Sequence, residues 1–332
     1  MRVSRRPADL ARALLLVAAV AVPLANWRGV LEAYAVPKLL VLSVAVPVAG
    51  ILVLLARDDR AAAPARRERL AGAAALAFLL WNALSFVVAG PDRQGLYGER
   101  YLLQGLWSIA IYVAAWWLGT RVFPDATGRR SLVRALALAG GTVGLVAAWQ
   151  VASGDLPRAG IFASRATSTI GQPNALGAFL AMAAPAAVSL ALLDGPRWER
   201  LLAVAAAALA LFGVVASGSR GGLLAVAVVA AIAAVLVAAA LRGEPRRGAR
   251  SATRAALALA AALVVLLALP PVRDLLGRTV DRSSGSGSLL REESVRQHLD
   301  LWAVGLRIVR DHPVLGIGPE RFPLAFPLYR ER

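Results

Sequence analysis

The sequence predicts an all-α polytopic membrane protein of about nine transmembrane helices, with a cytoplasmic N-terminus and an outer-face loop carrying an amphipathic helix after the last span. Three observations carry that expectation. Of 332 residues, 58% are hydrophobic and the mean hydropathy is +0.64, well above what a soluble domain of this length shows. Apolar runs of similar length recur along the chain. Arginines gather in every second gap between those runs.

Covering about 30 Å of hydrocarbon takes a helix of roughly 20 apolar residues. Segments 10–26, 36–56, 70–90, 101–120, 131–151, 174–193, 200–216, 221–241 and 252–271 meet or approach that length. The first follows a basic N-terminus as a secretory signal would, but another span follows closely without a convincing cleavage site, so it reads as a retained helix. Segments 200–216 and 221–241 are parted only by SGSRGG, which makes them a tight helical hairpin with Arg220 at its tip.

Orientation follows from the basic residues. Arg2, Arg5, Arg6 and Arg12 accompany the start of the first span; Arg57, Arg60, Arg66, Arg67 and Arg69 follow the second; Arg121, Arg129, Arg130 and Arg134 follow the fourth. Arg197 and Arg200 follow the sixth, and Arg242, Arg246, Arg247, Arg250 and Arg254 the eighth. The alternate connections are poorer, holding Arg28, Lys38, Arg93, Arg100, Arg158, Arg165 and Arg220. The rule that cytoplasmic loops are basic then puts the N-terminus inside and Arg220 outside. Residues 1–271 form a transmembrane helical domain on this reading, and 272–332 an extracytoplasmic loop segment.

Within the outer segments, 152–173 is rich in Gly, Pro, Ser and Thr and reads as an ordered loop leading to a helix near Asn174. After a flexible SSGSGS stretch, Val295, Leu299, Trp302, Leu306 and Val309 recur at helical spacing, with Arg296, Asp300, Arg307 and Arg310 among them. That pattern predicts an amphipathic helix lying against the membrane lipids. Pro313 ends it and VLGIGPERF follows as a turn.

The net charge of +17 does not form a patch on a soluble fold, so no nucleic-acid partner is expected. With no cysteine there is neither a disulfide framework nor a thiolate metal site. His298 and His312 lack metal-site spacing, and neither a metal nor a cofactor is expected. Ser217 and Ser219 have no His/Asp neighbours to activate them as nucleophiles.

Two readings of Arg220 fit the bare sequence. One is a topology or headgroup anchor. The other is anion capture: Gly218, Gly221 and Gly222 let backbone approach a ligand, a helix begins there, and a guanidinium forks onto phosphate oxygens. Arg158 and Arg165, with Gln172 and Asn174, are candidates to support the same anion, or are ordinary solvated loop residues. Lys38 opens the second span beside Glu32 as a snorkelling lysine, an ion-pair member or a further support. Arg296 meets either a phospholipid headgroup or a substrate.

Several stretches together resemble one family. STIGQPNALGAFLAM looks like its Gly-x-Pro-Asn start of a mid-chain helix, and SGSRGG like its serine-glycine-arginine hairpin. RQHLDLWAVGLRIVRDHPVLGIGPERF looks like its arginine-tryptophan helix followed by a His-Pro and Gly-x-Gly-Pro turn, and AVPKLL and GLYGERYLLQGL fit as well. The chain resembles the O-antigen ligase and polymerase superfamily of bacterial surface-glycan assembly over essentially its whole length. That resemblance implies a GT-C-like, metal-independent glycosyltransferase in the bacterial inner membrane, with its active face periplasmic or extracellular. The implied reaction moves a glycan from undecaprenyl diphosphate to an acceptor hydroxyl of lipid A core or another envelope molecule.

In the family, one hairpin arginine and one arginine at the start of the outer-loop helix are thought to hold the diphosphate; Arg220 and Arg296 match those positions. Its proposed catalytic histidine lies in a later motif beyond residue 332, so His298 and His312 are not assigned that role, and the chain is expected to be an N-terminal portion of a longer protein. A polymerase or a protein O-oligosaccharyltransferase fits the same residues. From another class, a small-anion transporter would require more polar residues at mid-span than Asn82, Thr142 and Ser189, and an inactive truncated membrane protein is the remaining alternative.

Overall fold

In the computed structural model the described residues are 6–27, 32–56, 66–99, 103–157, 163–192, 195–242, 273, 277 and 293–330. Their regular structure is helical throughout: α1 (Arg6–Leu24), α2 (Ala35–Leu55), α3 (Arg66–Val88), α4 (Arg93–Tyr97), α5 (Leu106–Val122), α6 (Ala126–Ser153), α7 (Pro173–Leu192), α8 (Arg197–Ala216), α9 (Arg220–Arg242), α10 (Glu293–Asp311) and α11 (Phe322–Arg330). Six of these, α1, α2, α3, α6, α7 and α8, are long and apolar enough to cross a membrane. The chain is a multi-pass, all-α membrane protein. Helix α9 is apolar from Arg220 to Ile232, and α5 has 17 residues. The expected segment 252–271 lies outside the described residues.

Segment 101–120 begins later than its apolar run suggested, at Leu106. Asp92 explains part of this, because its Oδ1 accepts from Gly95 N at 2.6 Å and so starts the short helix α4. Gly98, at φ +93°, then turns the chain back, and its backbone touches that of Gly105. A side chain at either glycine has no room.

The described chain divides into two compact units. One comprises Met1–Leu15, Trp27–Pro124 and Ser283–Arg332; the other Leu16–Asn26 and Asp125–Arg282. In the first, Ala11, Val46, Ala49, Ile111 and Leu118 form an apolar cluster, and the indole N–H of Trp107 donates to Ser43 Oγ at 2.9 Å. A separate cluster of Val304, Ile308 and Tyr329 joins α10 to α11, with Phe322 and Phe326 against it.

The second unit is built on close helix contact through small residues. A Cβ at Gly140 would run into Ala183, one at Gly141 would come to 2.8 Å of Ala206, and one at Gly144 would strike the Leu209 carbonyl. Those contacts lay α6 directly against α7 and α8. Lipid tails are as apolar as leucine, so backbone approach and dispersion hold such helices together. Toward the α8 N-terminus, Glu199 is buried and receives Arg134 Nε at 2.7 Å, Arg134 Nη2 at 3.1 Å and Arg130 Nη2 at 3.4 Å, tying α8 to α6.

Candidate diphosphate-binding site

The α8–α9 connection is short because its serines satisfy the backbone. Ser217 Oγ donates back to Val214 O at 2.6 Å and accepts from Ser219 N at 3.2 Å; Ser219 Oγ accepts from Gly222 N at 3.1 Å. Ser219 is therefore the N-cap of α9, and Arg220 is its first helical residue rather than the middle of the turn. Gly218 makes the reversal at φ +56°. The Arg220 side chain is exposed at the positive end of the helix.

The two glycines after Arg220 differ in what they do. A Cβ at Gly222 would lie 3.0 Å from backbone atoms of Gly177, so this glycine lets α9 cross α7. A Cβ at exposed Gly221 meets nothing nearer than Ser219 Oγ at 4.0 Å. Packing does not require a glycine there. Its bare backbone leaves the first turn of α9 open to a group approaching Arg220.

A loop from residue 163 onward braces this corner. Arg165 Nε donates to Ser217 O at 2.8 Å and its Nη2 to Asn174 Oδ1 at 2.7 Å, while Ala166 N donates to Ala216 O at 2.9 Å. Terminal carbonyls of a helix lack intrahelical donors and carry its negative end, so a guanidinium at Ser217 O suits the end of α8. The structure thus brings Arg165, Asn174 and the α8–α9 turn together. Gln172 is exposed, with its carbonyl accepting from Leu176 N at 2.9 Å as α7 starts at Pro173. Arg158 lies outside the described residues.

Deeper support comes from residues the sequence did not single out. Gln150 Oε1 accepts from Ser168 N at 2.7 Å and from Thr167 N at 3.2 Å, and Ser168 Oγ donates to Val143 O at 2.7 Å. Ser168 is buried with φ +49°, a conformation uncommon outside glycine, and these bonds hold it there. A glutamine near the end of an otherwise apolar span was the available signal. Thr169 Oγ1 adds a bond to Pro23 O at 2.8 Å.

Lys38 and Arg296 belong to the other unit. Lys38 is half-buried in the first turn of α2, with Nζ 3.4 Å from Tyr34 O and 5.4 Å from the centre of the Tyr34 ring. Arg296 is exposed in the first turn of α10, and His298 and His312 are exposed along and just past that helix. Among the described residues no group of three or more His, Cys, Asp or Glu is arranged to hold a metal ion.

Asn82, Thr142 and Ser189 turn inward on their own helices. Asn82 Nδ2 donates to Phe78 O, Thr142 Oγ1 to Leu138 O and Ser189 Oγ to Ala186 O, each at 2.7–2.8 Å.

Residues 205–332 match the family model described as O-Antigen ligase. The matched region takes in most of α8, the capped turn with Arg220, all of α9, and α10 and α11 with Arg296. No curated protein and no solved structure matches the chain.

Proposed function

We propose that this chain transfers a glycan from undecaprenyl diphosphate to an acceptor hydroxyl, of lipid A core or another envelope molecule, at the outer face of the inner membrane. The observation that carries the proposal is Arg220, an exposed residue on the Ser219-capped start of α9, inside the region that matches O-Antigen ligase. The N-terminus is cytoplasmic in this reading, the α8–α9 turn faces outward, and the architecture is GT-C-like with about nine spans.

The acceptor hydroxyl oxygen attacks the anomeric carbon of the lipid-linked sugar as the bond to the carrier oxygen breaks, and the hydroxyl proton passes to water. The diphosphate departs with the bonding electron pair, and negative charge accumulates on its oxygens. A guanidinium fork and the positive end of a helix offer fixed stabilisation where that charge grows. Arg220 takes this role, Gly221 admits the phosphate to the α9 backbone, and Arg296 is the second diphosphate ligand. Arg165 and Asn174 hold the corner, since the Arg165 guanidinium already serves Ser217 and Asn174. The inward-turned Asn82, Thr142 and Ser189 favour a lipid-linked substrate at the rim over an anion path through the spans.

Transfer from a defined undecaprenyl diphosphate-linked glycan is the test. Arg220→Ala is expected to lower it by roughly 10²–10³-fold, in line with the loss of a charge-stabilising donor, while inserted protein stays at the normal level. Arg220→Lys should recover little, because a point charge does not reproduce the fork. Full transfer by Arg220→Ala at normal insertion would remove the proposed role.

A further inference from the structure

Helix α10 has two apolar faces. Val304 and Ile308, 2% and 6% exposed, pack on Tyr329 and Phe322 of α11. Leu299, Trp302, Leu306 and Val309 lie on the other face and are 50%, 68%, 70% and 58% exposed. At about 100° per residue they form one stripe. Helix α11 also exposes apolar side chains, Leu324 at 57% and Leu328 at 68%. We propose that α10 and α11 form a membrane-surface foot whose Leu299–Trp302–Leu306–Val309 stripe sits in the acyl–headgroup boundary of a leaflet containing anionic phospholipid.

Two further observations point to a lipid surface as the occupant. The first is where the pair is fastened. Ser85 Oγ donates to Leu315 O, and Arg321 donates to the carbonyls of Ala89 and Gly90 while pairing with Asp92 at 3.1 Å. Gln94 Nε2 adds a bond to Glu320 O at 2.8 Å. All of these anchors lie at or just past the C-terminal end of α3, a helix of membrane-crossing length that stops at Val88. The α10–α11 turn is thus held where hydrocarbon gives way to headgroups, as an interfacial helix requires.

The second is the order of charges around α10. Moving away from the stripe on one side, Arg310 comes first, with Asp300 and Asp311 beyond it, while Arg307 Nη1 is turned to Tyr329 O of α11 at 2.8 Å. Arg310 borders the stripe, and Asp300 and Asp311 lie farther round that side. An arginine beside a buried stripe carries its stem along the apolar surface and its guanidinium to lipid phosphates, and a tryptophan such as Trp302 suits the same depth. The inference is independent of glycan transfer: it concerns phospholipid at the stripe, not the carrier at Arg220.

The chain has no cysteine, so single-cysteine variants of the whole protein report one position each. Leu306→Cys, Trp302→Cys and Leu299→Cys, with Asp300→Cys and Asp311→Cys as polar-side controls, would carry nitroxide labels in nanodiscs of phosphatidylethanolamine and phosphatidylglycerol. The stripe labels are expected to be relaxed by lipid-soluble oxygen at least about five times more, relative to a water-soluble nickel chelate, than the control labels. Adding Arg310→Glu should move the Leu306→Cys label toward the chelate in these nanodiscs and not in phosphatidylcholine alone. Equal chelate access at Leu306 and Asp300 would overturn the proposal, as would a stripe that neither reagent reaches, which is the outcome for a face covered by protein.

Discussion

Arg220 owes its position to two serines and one of its neighbouring glycines. Ser217 and Ser219 close the turn, Gly222 lets α9 cross Gly177, and Gly221 alone is unexplained by packing. The two glycines should therefore respond oppositely to a methyl group. Gly222→Ala is expected to cost about 1–3 kcal/mol through displaced backbone, read as a lower Tm of the purified protein. Gly221→Ala should keep the Tm, because alanine is the better helix former, yet reduce glycan transfer where a phosphate must approach the α9 backbone. A Gly221→Ala protein with normal transfer would show that the glycine is dispensable. The serine-glycine break between two apolar runs was readable from the sequence. The bonds from Arg165 to Ser217 and Asn174 were not: a loop arginine looks the same whether it meets an anion or a helix end.

At the scale of elements, apolar run length located the described spans to within a few residues, since it is the property a bilayer selects. It misjudged the start of α5, where the Asp92 cap and the Gly98 turn interrupt a stretch that reads as apolar. Periodicity identified α10 as amphipathic, but it could not tell which face packs: the residues it named are exposed, and Val304 and Ile308 supply the contact with α11. The pair is fastened to the end of α3 by the Arg321 clamp. Arg321→Ala removes donors to Ala89, Gly90 and Asp92, and loss of such charged hydrogen bonds costs about 1.5–3 kcal/mol. Amide hydrogen exchange is expected to quicken across 293–330 while α6, α7 and α8 keep their protection. Unchanged exchange in α10 and α11 would show that the clamp does not hold them.

For the whole molecule, the matched region 205–332 supplies segments to both units, with Arg220 in one and Arg296 in the other. Sequence order gives no hint of this, because the partners of residues 315–321 are residues 85–99, far away along the chain. The charge bias between connections and the capped arginine together support a carrier-binding role at the outer face. The measurement that tests this most directly is binding of undecaprenyl diphosphate, against undecaprenyl monophosphate, to the intact chain and to Arg220→Ala in nanodiscs. A preference for the diphosphate that falls at least about tenfold in Arg220→Ala is the predicted result. Equal affinity of the two proteins for undecaprenyl diphosphate would contradict it.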